Sequence, residues 1–284
     1  MKKEKIYKLL THLVLLAGVI CMLLPLFWML MTSFKNNIEA VAVPMTVFPK
    51  VWDFGGYQRV WERNIIRPYI NTIIISMGIV ICQLVTASMA AYAFARLNFP
   101  GKKYLFAVII CMIMIPQHMT LIPKYKIVSA MGLADTLAAV IVPNFISISV
   151  TFFLRQSFLS FPDELEDAAK IDGCSLVRIF TSMVLPLSRS VITAMGIMVL
   201  LFAWNDLLWP TIAITSEKNR VLSMFIALCK GQYVTDYGYL MAASTCAVLP
   251  MIIVYAIFQK AFVSSITMTG IKAVSYTHLT LPTT

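Results

Sequence analysis

The placement of charged side chains constrains this chain more than any other feature. Lys, Arg, Asp and Glu are missing from residues 9–34, 68–95, 104–123, 136–154 and 237–259. A helix needs about 20 apolar residues to span the hydrocarbon of a bilayer, so each interval reads as a membrane crossing. A sixth, 190–216, is interrupted only by Asp206, and Trp204 and Trp209 beside that acid suit the headgroup boundary. Hydrophobic residues make up 60% of the chain and charged residues 13%, which excludes a disordered chain, a disulfide scaffold and an ordinary soluble enzyme. The expected fold is all-α: a polytopic integral membrane protein with six transmembrane helices.

Lys2, Lys3, Lys5 and Lys8 precede the first interval as in a signal peptide, but the uncharged stretch exceeds a signal's apolar region and no small-residue cleavage site follows. It is expected to remain as the first helix. The net charge is +10, yet the basic residues are scattered between apolar blocks, so they imply a lipid bilayer and no nucleic acid. With the amino terminus cytoplasmic, the basic residues divide 13 inside to 10 outside, which barely orients the chain. The dense clusters do more: Lys2 to Lys8, and Arg96, Lys102 and Lys103 in one short loop, favour the inside. No repeat or linker divides residues 1–273, which read as a single transmembrane domain of the cell membrane.

The six cysteines, at 21, 82, 111, 174, 229 and 246, include no C-x-x-C pair and read as packed thiols. His12 and His118 are isolated, so no metal cluster is expected. No G-x-x-x-x-G-K-[ST] loop is present, so a nucleotide site has to come from another chain.

The expected cytoplasmic loop 155–189 carries the acids Asp163, Glu164, Glu166, Asp167 and Asp172, where membrane topology alone favours cations. Ser160 is expected to cap a helix that has Pro162 and the acids in its first turn, with Leu165, Ala168 and Ala169 on one face. Gly173 is the expected stop, and Ser175 the cap of a second helix presenting Leu176, Ile179, Phe180 and Met183, which Pro186 ends. The result is a helix-turn-helix suited to docking a partner, since so many acids disfavour an anionic inner leaflet.

The run DAAKIDG at 167–173, nine further residues, then Met183, Val184, Leu185 and Pro186, is similar to the EAA loop of binding-protein-dependent ABC importer permeases. Asp167 stands for the usual Glu and Met183 for the usual Ile. AYAFARLNFPGKK at 91–103, IPQHMTLIPKYKIVSAMGLADTLAAVIVP at 115–143 and AWNDLLWP at 203–210 resemble more narrowly the MalG-type permeases of carbohydrate importers. The likeness covers most of residues 10–273. VSYTHLTLPTT at 274–284 has no charge, no helical pattern and no family likeness, and is expected to be a non-native tail.

The resemblance implies a permease that pairs with a second, related permease on two ABC ATPase subunits and receives sugar from an extracytoplasmic solute-binding protein. It implies no cofactor on this chain, ATP being used by the partner ATPase, and no catalytic residue. It places ATPase coupling on Glu166, Asp167, Ala168, Ala169, Asp172, Gly173, Leu185 and Pro186. Polar residues in the spans, Asn71, Gln83, Gln117, His118, Asn144 and Asn205, are candidates for the substrate path because unpaired polarity is costly in lipid. Each has hydrogen bonding between helices as its alternative. A secondary carrier or channel without an ATPase is the rival function, and it calls for charges deep in the spans for ion coupling; the five uncharged intervals hold none.

Overall fold

The computed structural model describes residues 2–231 and 234–270, with side chains from 5 to 231 and 234 to 259. The expected tail 274–284 lies outside the described residues. Helices dominate, and no strand occurs among the described residues. Two compact units emerge, one built from the residues up to Thr72 together with Thr215–Ile253, the other from Ile73–Ile214 and the described residues from Val254.

Three unbroken helices are long and apolar enough to cross a membrane: Lys5–Thr32, Ile66–Arg96 and Tyr237–Gln259. Three bent pairs bring the number to as many as six when each pair is counted as one span. These bends were not part of the expectation of six spans, and the first two have a local cause. Between Lys102–Met114 and Gln117–Ala130 the chain turns by 95° at Ile115, which is extended because it precedes Pro116, a residue that also has no N–H for the ladder. Ala138–Asn144 and Ile148–Phe158 meet at 43°, and the second arm restarts where the Ser147 hydroxyl accepts the Val150 N–H. The third pair turns by 76° between Leu187 and Arg189, and its apolar arm is Arg189–Asn205.

That apolar arm corrects the expected sixth span. The helix stops at Asn205 instead of running to 216, because Asp206 is extended and its carboxylate accepts the Trp209 N–H at 3.3 Å, starting the short helix Leu208–Ala213. Asp206 thus ends one helix and bonds the first turn of the next, whose N-cap position is Leu207.

In the first unit, side chains of the Lys2–Thr32 helix from Lys5 to Leu26 are exposed, as a lipid-facing helix requires. Beyond it Phe34 gathers Trp52, Phe54 and Tyr57, with ring centroids 5.2 to 5.4 Å away. The buried Asn71 carboxamide donates to the carbonyls of Lys218 and Arg220, at 3.0 and 2.8 Å, while the Thr72 hydroxyl accepts the Leu222 N–H. Gly238 passes the Lys35 carbonyl so closely that a Cβ there would lie 2.2 Å from the oxygen. In the second unit Trp209 is buried and donates its indole N–H to the Ala139 carbonyl at 3.1 Å.

Candidate functional site: an acidic helix and a polar cavity in one unit

The acidic helix spans Asp163–Ile171. Ser160 does not cap it: its hydroxyl donates to the Ser157 carbonyl at 2.7 Å, closing the preceding helix, and Pro162 holds the N-cap position without a side-chain bond. Pro162 fixes the entry φ, and Asp163, Glu164 and Glu166 in the first turn face the positive end of the dipole. The helix closes as a Schellman motif, Cys174 N–H to Ala169 carbonyl at 2.9 Å and Gly173 N–H to Lys170 carbonyl at 3.0 Å, with Gly173 left-handed at φ +75°. Nothing lies within 4 Å of the position a Cβ would take there, so backbone conformation alone selects glycine.

Ser175 caps the second helix as expected, accepting the Arg178 N–H. Pro186 does not end it. The helix Leu176–Ile179 widens into a π turn over Phe180–Val184 and continues through Leu185–Leu187 to Ser188. The wide turn accommodates a proline that has no N–H to return to the preceding turn.

The loop presents two faces. Glu166, Ala169, Ile179 and Val184 are buried, and Tyr92 packs on Phe180 with centroids 5.1 Å apart. Asp167, Ala168, Asp172, Gly173 and Pro186 are exposed, Leu185 is half-buried, and Leu165, Ile171, Leu176 and Val177 leave apolar surface open. The named coupling residues therefore divide, with Glu166 and Ala169 turned into the protein. Arg96, in the last turn of Ile66–Arg96, is the reason. Its side chain is 5% exposed; Nε lies 3.3 Å from Glu166 Oε1, Nη1 pairs with Asp163, and Nη2 donates to the Phe161 carbonyl at 2.6 Å. Asp167 faces outward and pairs with Lys170 at 2.9 Å, and that hydrogen bond, with the charges of Asp167 and Glu166, holds the Lys170 ammonium above its ordinary range.

The second feature is a cavity of about 890 Å³ in the same unit. It brings together five of the six candidate path residues, Gln83, Gln117, His118, Asn144 and Asn205, whereas Asn71 is spent on the carbonyls of Lys218 and Arg220. Gln83 donates to the Asn144 carbonyl at 2.8 Å, and Asn205 to the Leu201 carbonyl at 2.8 Å. Lys124 also lines the cavity, with Nζ 3.2 Å from Asn144 Oδ1 and 4.1 Å from the centre of the Trp209 ring. In the sequence Lys124 only bounds an uncharged interval, which signals a span edge and not a cavity. The bend at Pro116 turns the following helix and carries that lysine to the cavity. Arg96 likewise carries only a topology signal in the sequence.

Residues 83–268 match the family described as "Binding-protein-dependent transport system inner membrane component". The chain is 31% identical to the arabinooligosaccharides transport system permease protein of Bacillus subtilis, over 88% of this chain and 90% of that one. It is 29% identical to the sn-glycerol-3-phosphate transport system permease protein of Rhizobium meliloti, over 94% and 99%. Its fold superposes with a TM-score of 0.80, at 19% identity, on a chain of a bacterial ABC transporter involved in the import of the acidic polysaccharide alginate, covering 92% of this chain and 98% of that one.

Proposed function

Because the chain belongs to the binding-protein-dependent transport system inner membrane component family, we propose that it forms half of the translocation path of an ATP-driven sugar importer and couples to separate ATPase subunits through residues 160–186. The other half is a second permease, and a solute-binding protein delivers the cargo from outside. The amino terminus is cytoplasmic. The chain performs no chemistry and holds no cofactor; ATP is bound and hydrolysed by the ATPase.

The observation that carries this reading is the mounting of the acidic helix. Its exposed side, with Asp167, Ile171 and Asp172, is free to enter a cleft, while its buried side is clamped by Arg96 to the end of the Ile66–Arg96 helix. That same helix carries Gln83 into the cavity. Closure of the ATPases displaces the acidic helix; a joint of one guanidinium and two carboxylates resists shear, so the displacement passes along a rigid rod to the cavity wall. Asp167 and Asp172 supply negative charge for a basic cleft, and Gly173 sets the angle between the two loop helices. In the cavity, the carboxamides of Gln83 and Asn144 and the ammonium of Lys124 offer the hydrogen-bonding groups that a hydroxylated cargo requires.

The test is to purify the permease pair with its ATPase and binding protein in vesicles and measure sugar uptake and binding-protein-stimulated ATP hydrolysis. Gly173→Val and Asp167→Lys are expected to abolish stimulation. Retention of normal copurification and stimulated uptake by both variants removes the loop from coupling.

A further inference from the structure

On the side of the second unit where the acidic helix is mounted, a smaller cavity of about 420 Å³ is lined by Phe99, Lys102, Lys103, Tyr104, Phe106 and Arg155. It holds three cations and no acid, and among the described residues no carboxylate pairs with any of the three. Its cations are not merely boundary charges reaching for water. Lys102 Nζ donates to the Leu97 carbonyl at 2.8 Å and the Ala95 carbonyl at 3.3 Å, and Arg155 Nε donates to the Phe94 carbonyl at 3.0 Å. These carbonyls close the Ile66–Arg96 helix, whose carboxyl end attracts cations. The Arg155 guanidinium also lies 4.0 Å from the centre of the Phe106 ring. Both heads are thus held in place, and among the described residues no protein group accepts from the two terminal nitrogens of Arg155 or from the Lys103 ammonium.

A pre-positioned cationic pocket without a counter-charge is completed by an anion. Its surroundings identify the source. Lys102 and Tyr104 of the pocket begin the apolar segment Lys102–Met114, and further along it Leu105, Val108 and Met112, at spacings of three and four residues, are exposed. A soluble phosphate has no use for these apolar side chains, whereas an acyl chain does. We infer that Lys102, Lys103 and Arg155 bind the phosphate of an anionic phospholipid headgroup, with an acyl chain lying along Leu105, Val108 and Met112. The carbonyls that orient Lys102 and Arg155 belong to the turn that also holds Arg96, so the lipid seats against the base of the helix that mounts the acidic loop.

The experiment is native mass spectrometry of the purified permease complex in detergent, titrated with phosphatidylglycerol, phosphatidylcholine or soluble glycerol 1-phosphate. Phosphatidylglycerol is expected to bind saturably and in preference to phosphatidylcholine. Lys102→Gln and Arg155→Gln are each expected to weaken it roughly fivefold, and the pair together about twenty-five-fold. Lys50→Gln, a basic residue outside the pocket, is expected to leave binding unchanged, and Arg155→Lys to retain most of it, which keeps the test decisive should Arg155→Gln fail to assemble. Equal binding of the two lipids, equal losses in Lys50→Gln and the pocket variants, or displacement of lipid by glycerol 1-phosphate at similar concentration would each overturn the assignment.

Discussion

Arg96 Nε stands 3.3 Å from Glu166 Oε1, and both side chains are nearly sealed from solvent, at 5% and 11% exposure. Two neighbouring acids in the chain thus have opposite roles: Glu166 faces inward as a structural counter-charge, and Asp167 faces outward, 65% exposed. Removing Glu166 leaves the buried guanidinium with the more exposed Asp163 as its remaining acid. Glu166→Ala is expected to cost about 2 to 3 kcal/mol, read as a lowered midpoint in thermal unfolding of the detergent-solubilised complex. Asp167→Asn is expected to change stability by less than about 0.5 kcal/mol while weakening ATPase copurification. Equal destabilisation by the two variants would refute this division of labour.

Gly173 gives a graded prediction. With φ at +75° and open space around it, the penalty for a side chain depends on how poorly that residue tolerates a left-handed backbone. Asn should be tolerated best, Ala should cost about 1 kcal/mol, and Val about 2. Stimulated ATP hydrolysis should fall in the same order, and an order set by side-chain volume alone would point to a clash instead.

Membrane orientation can be tested with impermeant thiol reagents, although the native Cys229 is unsuitable. It is buried, it donates to the Phe225 carbonyl, and burial pushes its thiol pKa up. In a background without native cysteines, Glu217→Cys should react in intact cells, since Glu217 is 87% exposed, and Asp172→Cys should resist until the cells are opened. The opposite pattern inverts the topology.

Lys124 tests the cavity. Lys124→Met removes the charge facing Asn144 and Trp209 without shortening the side chain much. It is expected to reduce uptake about tenfold, the loss associated with one charge-assisted hydrogen bond, with ATPase copurification intact. Unaltered uptake would place the cargo elsewhere.

How far the sequence foretold this structure depends on which forces were local. The acidic helix, the left-handed Gly173 and the Ser175 cap follow from neighbouring residues, and all three were legible. The bend at Pro116 and the helix break at Asp206 were signalled by residues in plain view, yet apolarity over 104–123 and 190–216 masked them, because hydropathy records solvent preference and not backbone direction. The division between Glu166 and Asp167 was not legible at all. It depends on Arg96, 70 positions earlier in the numbering, and on the turn of the helix that faces it.

The Arg96 joint also has an order in time. Asp163 lies 67 residues beyond Arg96 in the chain, so during synthesis the guanidinium emerges well before its carboxylate partners exist. At ordinary elongation speeds that interval lasts on the order of several seconds. Throughout it Arg96 is an unneutralised cation at the end of a newly made apolar helix, the condition in which a basic residue retains its flank on the cytoplasmic side. Once Asp163 and Glu166 arrive, the same charge is withdrawn from the surface. In the orientation proposed above, one arginine serves first as an instruction for insertion and afterwards as a fastening.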